Sequence, residues 1–420
     1  MKRSMGAVEA AKAIEGGSLT AEAYIRGLLD IVAERDGPVQ AFIHLDAEAT
    51  LAAARTLDKG PRRGMLHGVP VGVKDIIDTH DMPTGYGSPI YDGHRPAADA
   101  ACVAGLRRRG GLVFGKTVST EFAYYTPGKT RNPHDPSRTP GGSSSGSAAA
   151  VGAGMVPLAF GTQTAGSIIR PASFCGVVGY KPSFGTINTA GVKPFGMSLD
   201  TIGGFAASVA DIAFLVGALS GHDFLSGLDK PDTPRIGLCR TPQWPDVEAG
   251  TETAFAEAET RLARVLTPVT LPAIFDDLAV EQVSVMAYEA AAAYGSENLY
   301  HVDRLSDHIR DLLAKGDTVD GVAYRAILGK AARARMALAE AMDGLDVLLV
   351  PAAPGEAPVG MATGNSVFNR MWTLLGVPCV TVPGLTGPAG LPVGLQLIGR
   401  PGEDARTLAA AAWLEAQLRG

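Results

Sequence analysis

The sequence of 420 residues has few of the residues that form disulfides or bind metals in proteins. Its four cysteines are scattered and form no Cys-x-x-Cys pair; they are Cys102, Cys175, Cys239 and Cys379. This spacing disfavours a zinc site, and we expect four reduced thiols in the core. The eight histidines form no His-x-His or His-x-x-x-His pair. We therefore expect neither a metal nor another cofactor.

Long apolar runs and a strong excess of one charge are also missing. No apolar run reaches the roughly 18 residues that a membrane-spanning helix needs, so we expect no membrane partner. Glu9, Lys12 and Glu15 interrupt the N-terminal segment where an export signal would be apolar, and we expect a cytoplasmic protein. The net charge of −6, with both signs mixed, argues against a nucleic-acid partner.

Helical and strand patterns alternate in the N-terminal part of the chain. Helical patterns occupy 21–32 and 47–54, and a short apolar strand pattern over 69–73 ends at Lys74. A helical pattern over 99–109 precedes another strand pattern. This alternation predicts an α/β fold.

The segment 241–344 has a different composition. It is rich in Ala, Glu, Arg and Leu and has few strand signals. We interpret it as a variable helical layer that could cover the site. Strand patterns return after it, at 347–351, 378–383 and 394–398, before a closing helix over 403–418.

Strand patterns on both sides of a helical middle indicate one domain with an insertion. We assign the whole chain, 1–420, to this domain. Its parts are N-terminal helices in 1–59, a core formed by 60–240 and 345–420, and the helical layer.

Two turns rich in serine and glycine are candidates for a nucleophile. Ser143 lies in Gly-Gly-Ser-Ser-Ser-Gly-Ser, and Ser167 lies in Thr-Ala-Gly-Ser-Ile-Ile-Arg-Pro. The first stretch could be a flexible linker, but it leads directly into the apolar residues 148–151, which favours a helix start. Ser167 could be a simple N-cap. The turn 164–167 has small side chains, however, and its backbone N–H groups could hold an oxyanion.

A serine hydroxyl needs a base within hydrogen-bonding reach. The chain has no Gly-x-Ser-x-Gly elbow, and the nearest histidine candidate, His134, lies in a proline-flanked loop. Lys74 remains, and it can act as a base only if burial keeps it neutral. Its place after an apolar strand is such a setting. Alternatively, Lys74 pairs with Asp75 or Asp78 at the surface.

The segment 110–117 matches the Gly-x-x-x-x-Gly-Lys-Thr pattern of phosphate-binding loops. Such a loop needs a glycine-rich turn at its middle positions, and here these positions are Leu-Val-Phe. We therefore expect a strand and no nucleotide.

The segments 68–75, 141–149 and 161–182 together resemble the signature of the amidase-signature family of serine hydrolases. Further likeness at 121–123 and 391–396 extends the resemblance over nearly the whole chain, with the weakest part over 240–345. The resemblance implies a single domain with a central mixed β-sheet surrounded by α-helices. It also implies cleavage of an amide C–N bond through an acyl-enzyme.

The resemblance implies a role for each matching residue. Ser167 matches the nucleophile, Lys74 the base, and Ser143 the bridging serine, which follows a cis peptide bond. Backbone N–H groups of the turn match the oxyanion hole; they belong to Thr164, Ala165, Gly166 and Ser167. Ser144 and Ser145 complete the hydrogen-bond network, with Ser144 as a substrate-binding residue.

Three residues of the motif depart from the commonest family pattern. Gln163 stands where the family usually has Asp, and Ala165 stands where a glycine is common. Arg170 lies three residues after Ser167, where the family more often has its arginine at two. We hypothesise that loss of the Asp charge and displacement of the arginine are linked. These departures concern the shape of the pocket rather than the reaction.

The main interpretation is a stand-alone hydrolase of a small carboxamide, or of a related carbamate, urea or hydrazide. The alternative is the glutaminase A subunit of a tRNA-dependent amidotransferase, and a third is a non-catalytic binding protein. The expected partner is a small amide, with a homodimer as the default assembly. Candidates for the pocket lining, all of which could equally be ordinary core or surface residues, are Tyr124, Tyr125, Met286, Tyr288, Asn369 and Trp372.

Overall fold

The computed structural model describes residues 4–224, 228 and 230–419. The α-helices are α1 (Ala7–Glu15), α2 (Ala21–Val39), α3 (Ala47–Lys59), α4 (Ala101–Arg108), α5 (Ser145–Gly152), α6 (Ile169–Cys175), α7 (Val209–Ser220), α8 (Ala249–Arg261), α9 (Leu278–Ala293), α10 (Gly295–Tyr300), α11 (Asp307–Asp317), α12 (Gly321–Ala341), α13 (Val367–Leu374) and α14 (Asp404–Arg419). The β-strands are β1 (Phe42–His44), β2 (Pro70–Lys74), β3 (Leu112–Thr117), β4 (Leu158–Gln163), β5 (Val178–Lys181), β6 (Thr201–Ala206), β7 (Ile236–Leu238), β8 (Leu266–Pro268), β9 (Val347–Pro351), β10 (Cys379–Thr386) and β11 (Pro392–Ile398).

The strands form one mixed sheet in the order β1-β3-β2-β4-β6-β5-β10-β11-β9-β7-β8. Strand β2 pairs in parallel with β3 and β4, whereas β4 and β6 are antiparallel. Helices pack around this sheet, so the predicted α/β fold with a central mixed sheet is confirmed.

Strand β2 lies in the interior of the sheet, and this position explains its apolar sequence. All five of its residues are buried, because β3 and β4 flank it and α5 packs against it. The neighbouring strand β3 runs to Thr117. The phosphate-loop pattern therefore lies largely in a strand, as the sequence predicted.

The helical layer over 241–344 contains a strand, which the sequence pattern did not predict. Leu266–Pro268 pairs in parallel with Ile236–Leu238 at one edge of the sheet. A strand of three residues with one aliphatic side chain is too short for a periodic pattern to be recognised. The rest of the layer is mainly helical, and α9 packs against α11, α12 and α13.

Two further expectations concern the core and the membrane. The four cysteines are free and buried, as predicted. In the part of the chain that the structure describes, every helix is too short or too polar to cross a membrane.

Candidate active site

Lys74 ends β2 and lies inside the protein. Its side chain is fully buried, and Nζ donates to Ser143 Oγ at 2.7 Å and to Thr162 Oγ1 at 2.8 Å. Burial lowers the pKa of Lys74 well below its ordinary value of 10.5, and the charge of Asp200 offsets part of this effect. The alternative in which Lys74 pairs with an aspartate at the surface is wrong, because β2 places its end beneath the serine turn.

Ser143 follows two glycines that this turn requires. Gly141 has a φ of 79°, and a Cβ on Gly142 would lie 2.7 Å from Thr363 Cγ2. The peptide bond between Gly142 and Ser143 is cis, as the resemblance implied. The turn leads into α5, so the flexible-linker interpretation is wrong.

Ser144 and Ser145 face the backbone of neighbouring strands. Ser144 Oγ donates to Thr162 O at 3.3 Å, and Ser145 Oγ donates to Val118 O at 3.3 Å. Ser144 does not lie among the residues that line the pocket around Ser167. The start of α5 turns its hydroxyl towards β4, and its role as a substrate-binding residue stays a prediction.

The turn 164–167 leaves β4 and enters α6. Gln163 Oε1 accepts the backbone N–H groups of Ile168 and Ile169 at 2.9 and 3.1 Å, and Gln163 Nε2 donates to Thr373. Gln163 thus binds the helix start and makes no described contact with Arg170. Among the described contacts, the N–H groups of residues 165–167 have no protein partner, which leaves them available to an anion.

Gly166 is the tightest point of this turn. An added Cβ would collide with Asn369 Oδ1 and with Ser366 Cβ. Asn369 itself lies beneath the turn, where its Nδ2 donates to Ala352 O at 3.0 Å. A larger residue at position 166 would displace the N–H groups on both sides of it.

Two residues that no sequence motif revealed hold Thr164. Its Oγ1 donates to Asp200 Oδ1 at 2.5 Å, and its carbonyl accepts from Gln282 Nε2 at 2.8 Å. Asp200 also accepts two backbone N–H groups, and burial raises its pKa to about 6. These contacts fix the turn from the side of β6 and from α9 of the helical layer.

Ser143 from the first turn and Thr164, Ala165 and Ser167 from the second line one small pocket. Its lining consists of Ala123, Tyr124, Tyr125, Ser143, Thr164, Ala165, Ser167, Arg170, Phe195, Met286 and Ser366. Of the pocket residues suggested from the sequence, Tyr124, Tyr125 and Met286 are present. Tyr288 instead stacks on Tyr324, and Trp372 is buried in the core. Met286 belongs to α9, so the helical layer contributes to the cover of the site.

His134 and a cluster of one histidine and two aspartates lie outside this pocket. His134 Nε2 is 2.9 Å from Cys175 O. His80, Asp81 and Asp99 could together offer three metal ligands, but Asp81 and Asp99 form ion pairs with Arg107. Neither group contributes to the arrangement around Ser167.

Comparison with known proteins identifies the family. A sequence profile described as Amidase matches residues 23–408. The chain belongs to the amidase family. The resemblance found in its motifs is therefore confirmed, and this amidase-family chain is a hydrolase that acts on C–N bonds.

Two curated relatives of this amidase-family chain share one name. The A subunit of glutamyl-tRNA(Gln) amidotransferase from Anaeromyxobacter sp. (strain K) is 35% identical, over 99% of this chain and 96% of that protein. The protein of the same name from Chloroflexus aggregans is also 35% identical, over 94% of this chain and 93% of that protein.

Solved structures of two amidases and of one amidotransferase subunit also resemble this amidase-family chain. A protein described as an amidase has a TM-score of 0.89 and 32% identity, over 98% of this chain and 99% of that chain. The peptide amidase of Stenotrophomonas maltophilia has a TM-score of 0.86 and 31% identity, over 99% and 97%. The A subunit of glutamyl-tRNA(Gln) amidotransferase from Thermotoga maritima has a TM-score of 0.80 and 29% identity, over 97% and 93%.

Proposed function

We propose that this amidase-family enzyme cleaves a small carboxamide, or a related carbamate, urea or hydrazide, through an acyl-enzyme on Ser167. One observation carries the proposal: a fully buried lysine, Lys74, lies 2.7 Å from the hydroxyl of Ser143, which shares a pocket with Ser167. Burial favours the neutral amine, and only the neutral amine can accept a proton.

In the proposed mechanism, protons move along the three side chains. Neutral Lys74 accepts the proton of Ser143, and Ser143 accepts the proton of Ser167 as Ser167 Oγ attacks the carbonyl carbon. The proton returns through Ser143 to the leaving nitrogen when the C–N bond breaks. A water molecule then attacks the ester of Ser167. Its proton passes through Ser143 to Lys74 and returns to Ser167 Oγ as the ester breaks. Amide nitrogen is a poor leaving group, so delivery of this proton matters as much as activation of the serine.

The turn 164–167 supplies the proposed oxyanion hole. The open N–H groups of Ala165, Gly166 and Ser167 can donate to the oxygen that becomes negative during attack. Asp200 and Gln282 hold Thr164 and thereby keep this turn in place before the substrate arrives.

The proposed role of Lys74 predicts how activity depends on pH. The neutral amine is the active form, so kcat/KM should rise with pH as Lys74 loses its proton. Because burial lowers the pKa of Lys74, the midpoint of this rise should lie well below 10.5. A pH profile of kcat/KM for a neutral amide measures the midpoint.

An Asp200→Asn variant tests whether the midpoint of the pH profile belongs to Lys74. The negative charge of Asp200 raises the pKa of Lys74, so its removal should shift the midpoint to lower pH. Total activity should also fall, because Asp200 holds the turn. An unchanged midpoint in this variant would assign the titration to another group.

A second candidate function has support of its own. The two curated relatives described above are A subunits of a glutamyl-tRNA(Gln) amidotransferase. These full-length matches favour the alternative interpretation, in which the chain releases ammonia from glutamine for partner subunits. On the curated relatives alone, this candidate is better supported than the stand-alone hydrolase.

Two observations on the chain itself favour the stand-alone hydrolase. Its fold is closer to the amidase and the peptide amidase, with TM-scores of 0.89 and 0.86, than to the Thermotoga protein, with 0.80. In addition, the described residues that line the pocket include no carboxylate. The α-ammonium group of glutamine would find no anionic partner among these residues.

A matched pair of substrates separates the two functions. Glutaramate and L-glutamine share the same chain and carboxamide, and glutamine adds an α-ammonium group. The purified chain alone should release ammonia from glutaramate at least about tenfold faster than from glutamine, as judged by kcat/KM. Ammonia release from glutamine alone, or only after amidotransferase partner subunits are added, would support the second candidate instead.

A further inference from the structure

Tyr125 follows two residues whose backbone is strained. Phe122 and Ala123 are not glycines, yet their φ angles are 46° and 62°, in the left-handed region that such residues rarely adopt. Strain of this kind persists only where the surrounding structure holds it, and it is concentrated at functional sites. Here the strained backbone leads Tyr124 and Tyr125 into the lining of the pocket around Ser167.

The hydroxyl of Tyr125 accepts hydrogen bonds from two neighbours. Arg370 Nη2 donates to Tyr125 Oη at 3.2 Å, and a guanidinium can only donate. Ser366 Oγ accepts from Arg370 Nε at 3.2 Å and itself donates to Tyr125. Since Oη accepts from both groups, its own O–H is left to donate elsewhere. Among the described contacts, no protein group accepts it.

The hydroxyl end of Tyr125 lies at the pocket together with its ring. Ser366 and Arg170 line the pocket, and both act on the phenol group, one through a hydrogen bond and the other through its charge. Ser143 and Ser167 line the same cavity, which has a volume of about 20 Å³, roughly the room of one water molecule. An oxygen atom that enters this cavity is therefore close to the two serines and to the donor of Tyr125.

The charges around Tyr125 also affect its acidity. Burial raises the pKa of Tyr125, but the charges of Arg370 and Arg170 outweigh burial, and the pKa lies below its ordinary value of 10. His308 of α11 faces the ring at 6.1 Å between centroids. The neighbouring Tyr124 has a pKa raised to about 12, mainly by burial. Tyr125 is thus the stronger hydrogen-bond donor of the two tyrosines.

We infer that the O–H of Tyr125 donates to an oxygen on the α-carbon of the substrate, so that the enzyme acts on small 2-hydroxy or 2-alkoxy carboxamides. This inference rests on the proposed hydrolysis at Ser167. The donor has no described acceptor in the protein, and the cavity admits an oxygen only close to the carbonyl that Ser167 attacks. An alkyl group at the same place would leave the donor without a partner and is therefore disfavoured.

The first test compares two amides of equal size. Glycolamide carries a hydroxyl where propanamide carries a methyl group. Tyr125→Phe should lower the ratio of their kcat/KM values by about 5- to 50-fold, since a donor without a partner has a cost of this size. The hydroxyl also activates the carbonyl, so the measure is the change in the ratio between the two proteins. A ratio that Tyr125→Phe leaves unchanged would overturn the inference while the proposed hydrolysis stands.

Tyr288→Phe is the matched control. This variant also loses a phenol hydroxyl, but Tyr288 stacks on Tyr324 and does not line the pocket. It should keep the wild-type ratio. A second pair, 3-hydroxypropanamide and butanamide, moves the oxygen one carbon away from the carbonyl. Its ratio should respond less to Tyr125→Phe, and a larger response than that of the first pair would contradict the α-position.

The pH dependence of the ratio is a readout that a purely structural tyrosine would not change. Deprotonation removes the donor, so the preference for glycolamide should fall as the pH rises through the pKa of Tyr125, with a midpoint below 10. Titration of Lys74 affects both substrates alike and cancels in the ratio. The ratio for Tyr125→Phe should not vary over this range. A wild-type ratio that stays constant up to pH 10 would contradict the assigned donor.

Binding can be measured without turnover. In Ser167→Ala protein, titration followed by NMR of the ligand should show glycolamide bound about fivefold or more tightly than propanamide, and addition of Tyr125→Phe should abolish the difference. This result would support the inference even if wild-type protein cleaved neither amide, in which case only the proposed hydrolysis would fail. Equal or undetectable binding of both amides would overturn the inference.

Discussion

Replacement of Ser167 by alanine should lower kcat/KM by roughly 10⁴-fold or more. The proposed acyl-enzyme forms at Ser167 Oγ, and loss of the nucleophile from a catalytic triad has effects of this order. Folding should be little affected, because the described contacts of Ser167 include no hydrogen bond from its hydroxyl. Ammonia release from a short amide measures activity, and thermal unfolding measures stability.

Ser145→Ala is the matched control for this prediction. Ser145 is also buried in a serine-rich turn, but its hydroxyl makes one bond of 3.3 Å to Val118 O and does not line the pocket. We expect most of the wild-type activity in this variant. Turnover by Ser167→Ala above about a thousandth of the wild-type rate would exclude Ser167 as the nucleophile.

Replacement of Lys74 by methionine should lower kcat/KM by roughly 10³-fold or more. The variant keeps an unbranched apolar stem of four heavy atoms but lacks the nitrogen that faces Ser143. General-base catalysis contributes about 10² to 10⁴ to a rate, and the same lysine is proposed to return the proton to the leaving nitrogen. The remaining activity should lose the rise with pH that we assign to Lys74.

Stability distinguishes a catalytic lysine from a structural one. Lys74 has hydroxyl partners and no ion pair among the described contacts, so an apolar side chain should leave the melting temperature within a few degrees of wild type. Lys181→Met is the control, because Lys181 is equally buried but donates only to Pro182 O among the described contacts. If the two variants lost activity equally, the loss for Lys74→Met would reflect packing rather than proton transfer.

The sequence predicted some strands and missed others for a physical reason. The runs that became β9, β10 and β11 are rich in Val and Leu and were recognised. Strand β6, Thr-Ile-Gly-Gly-Phe-Ala, was not, because its glycines remove the apolar pattern. A Cβ at Gly203 or Gly204 would meet the carbonyl of Tyr180 or Ala159. The neighbouring strands require these glycines, and that requirement is visible only in the assembled sheet.

The residues of the candidate site likewise include some that the sequence predicted and some that it missed. Lys74, Ser143 and Ser167 could be named from the motif, and the structure brings Lys74 and Ser143 into contact. Asp200 and Gln282 could not be named. They lie 36 and 118 residues from Thr164, in segments without a recognisable motif. The motif could not show that the start of α5 directs the hydroxyl of Ser144 to Thr162.

By itself, the sequence determined the family resemblance, the α/β class and the types of residue available for the chemistry. These follow from local patterns, because motif spacing and apolar periodicity are properties of short segments. The tertiary structure alone decided that Lys74 is desolvated and that two buried donor atoms of Arg170 have no partner among the described residues. Burial and local charge depend on residues far apart in the chain, which only the packing of the sheet and helices brings together.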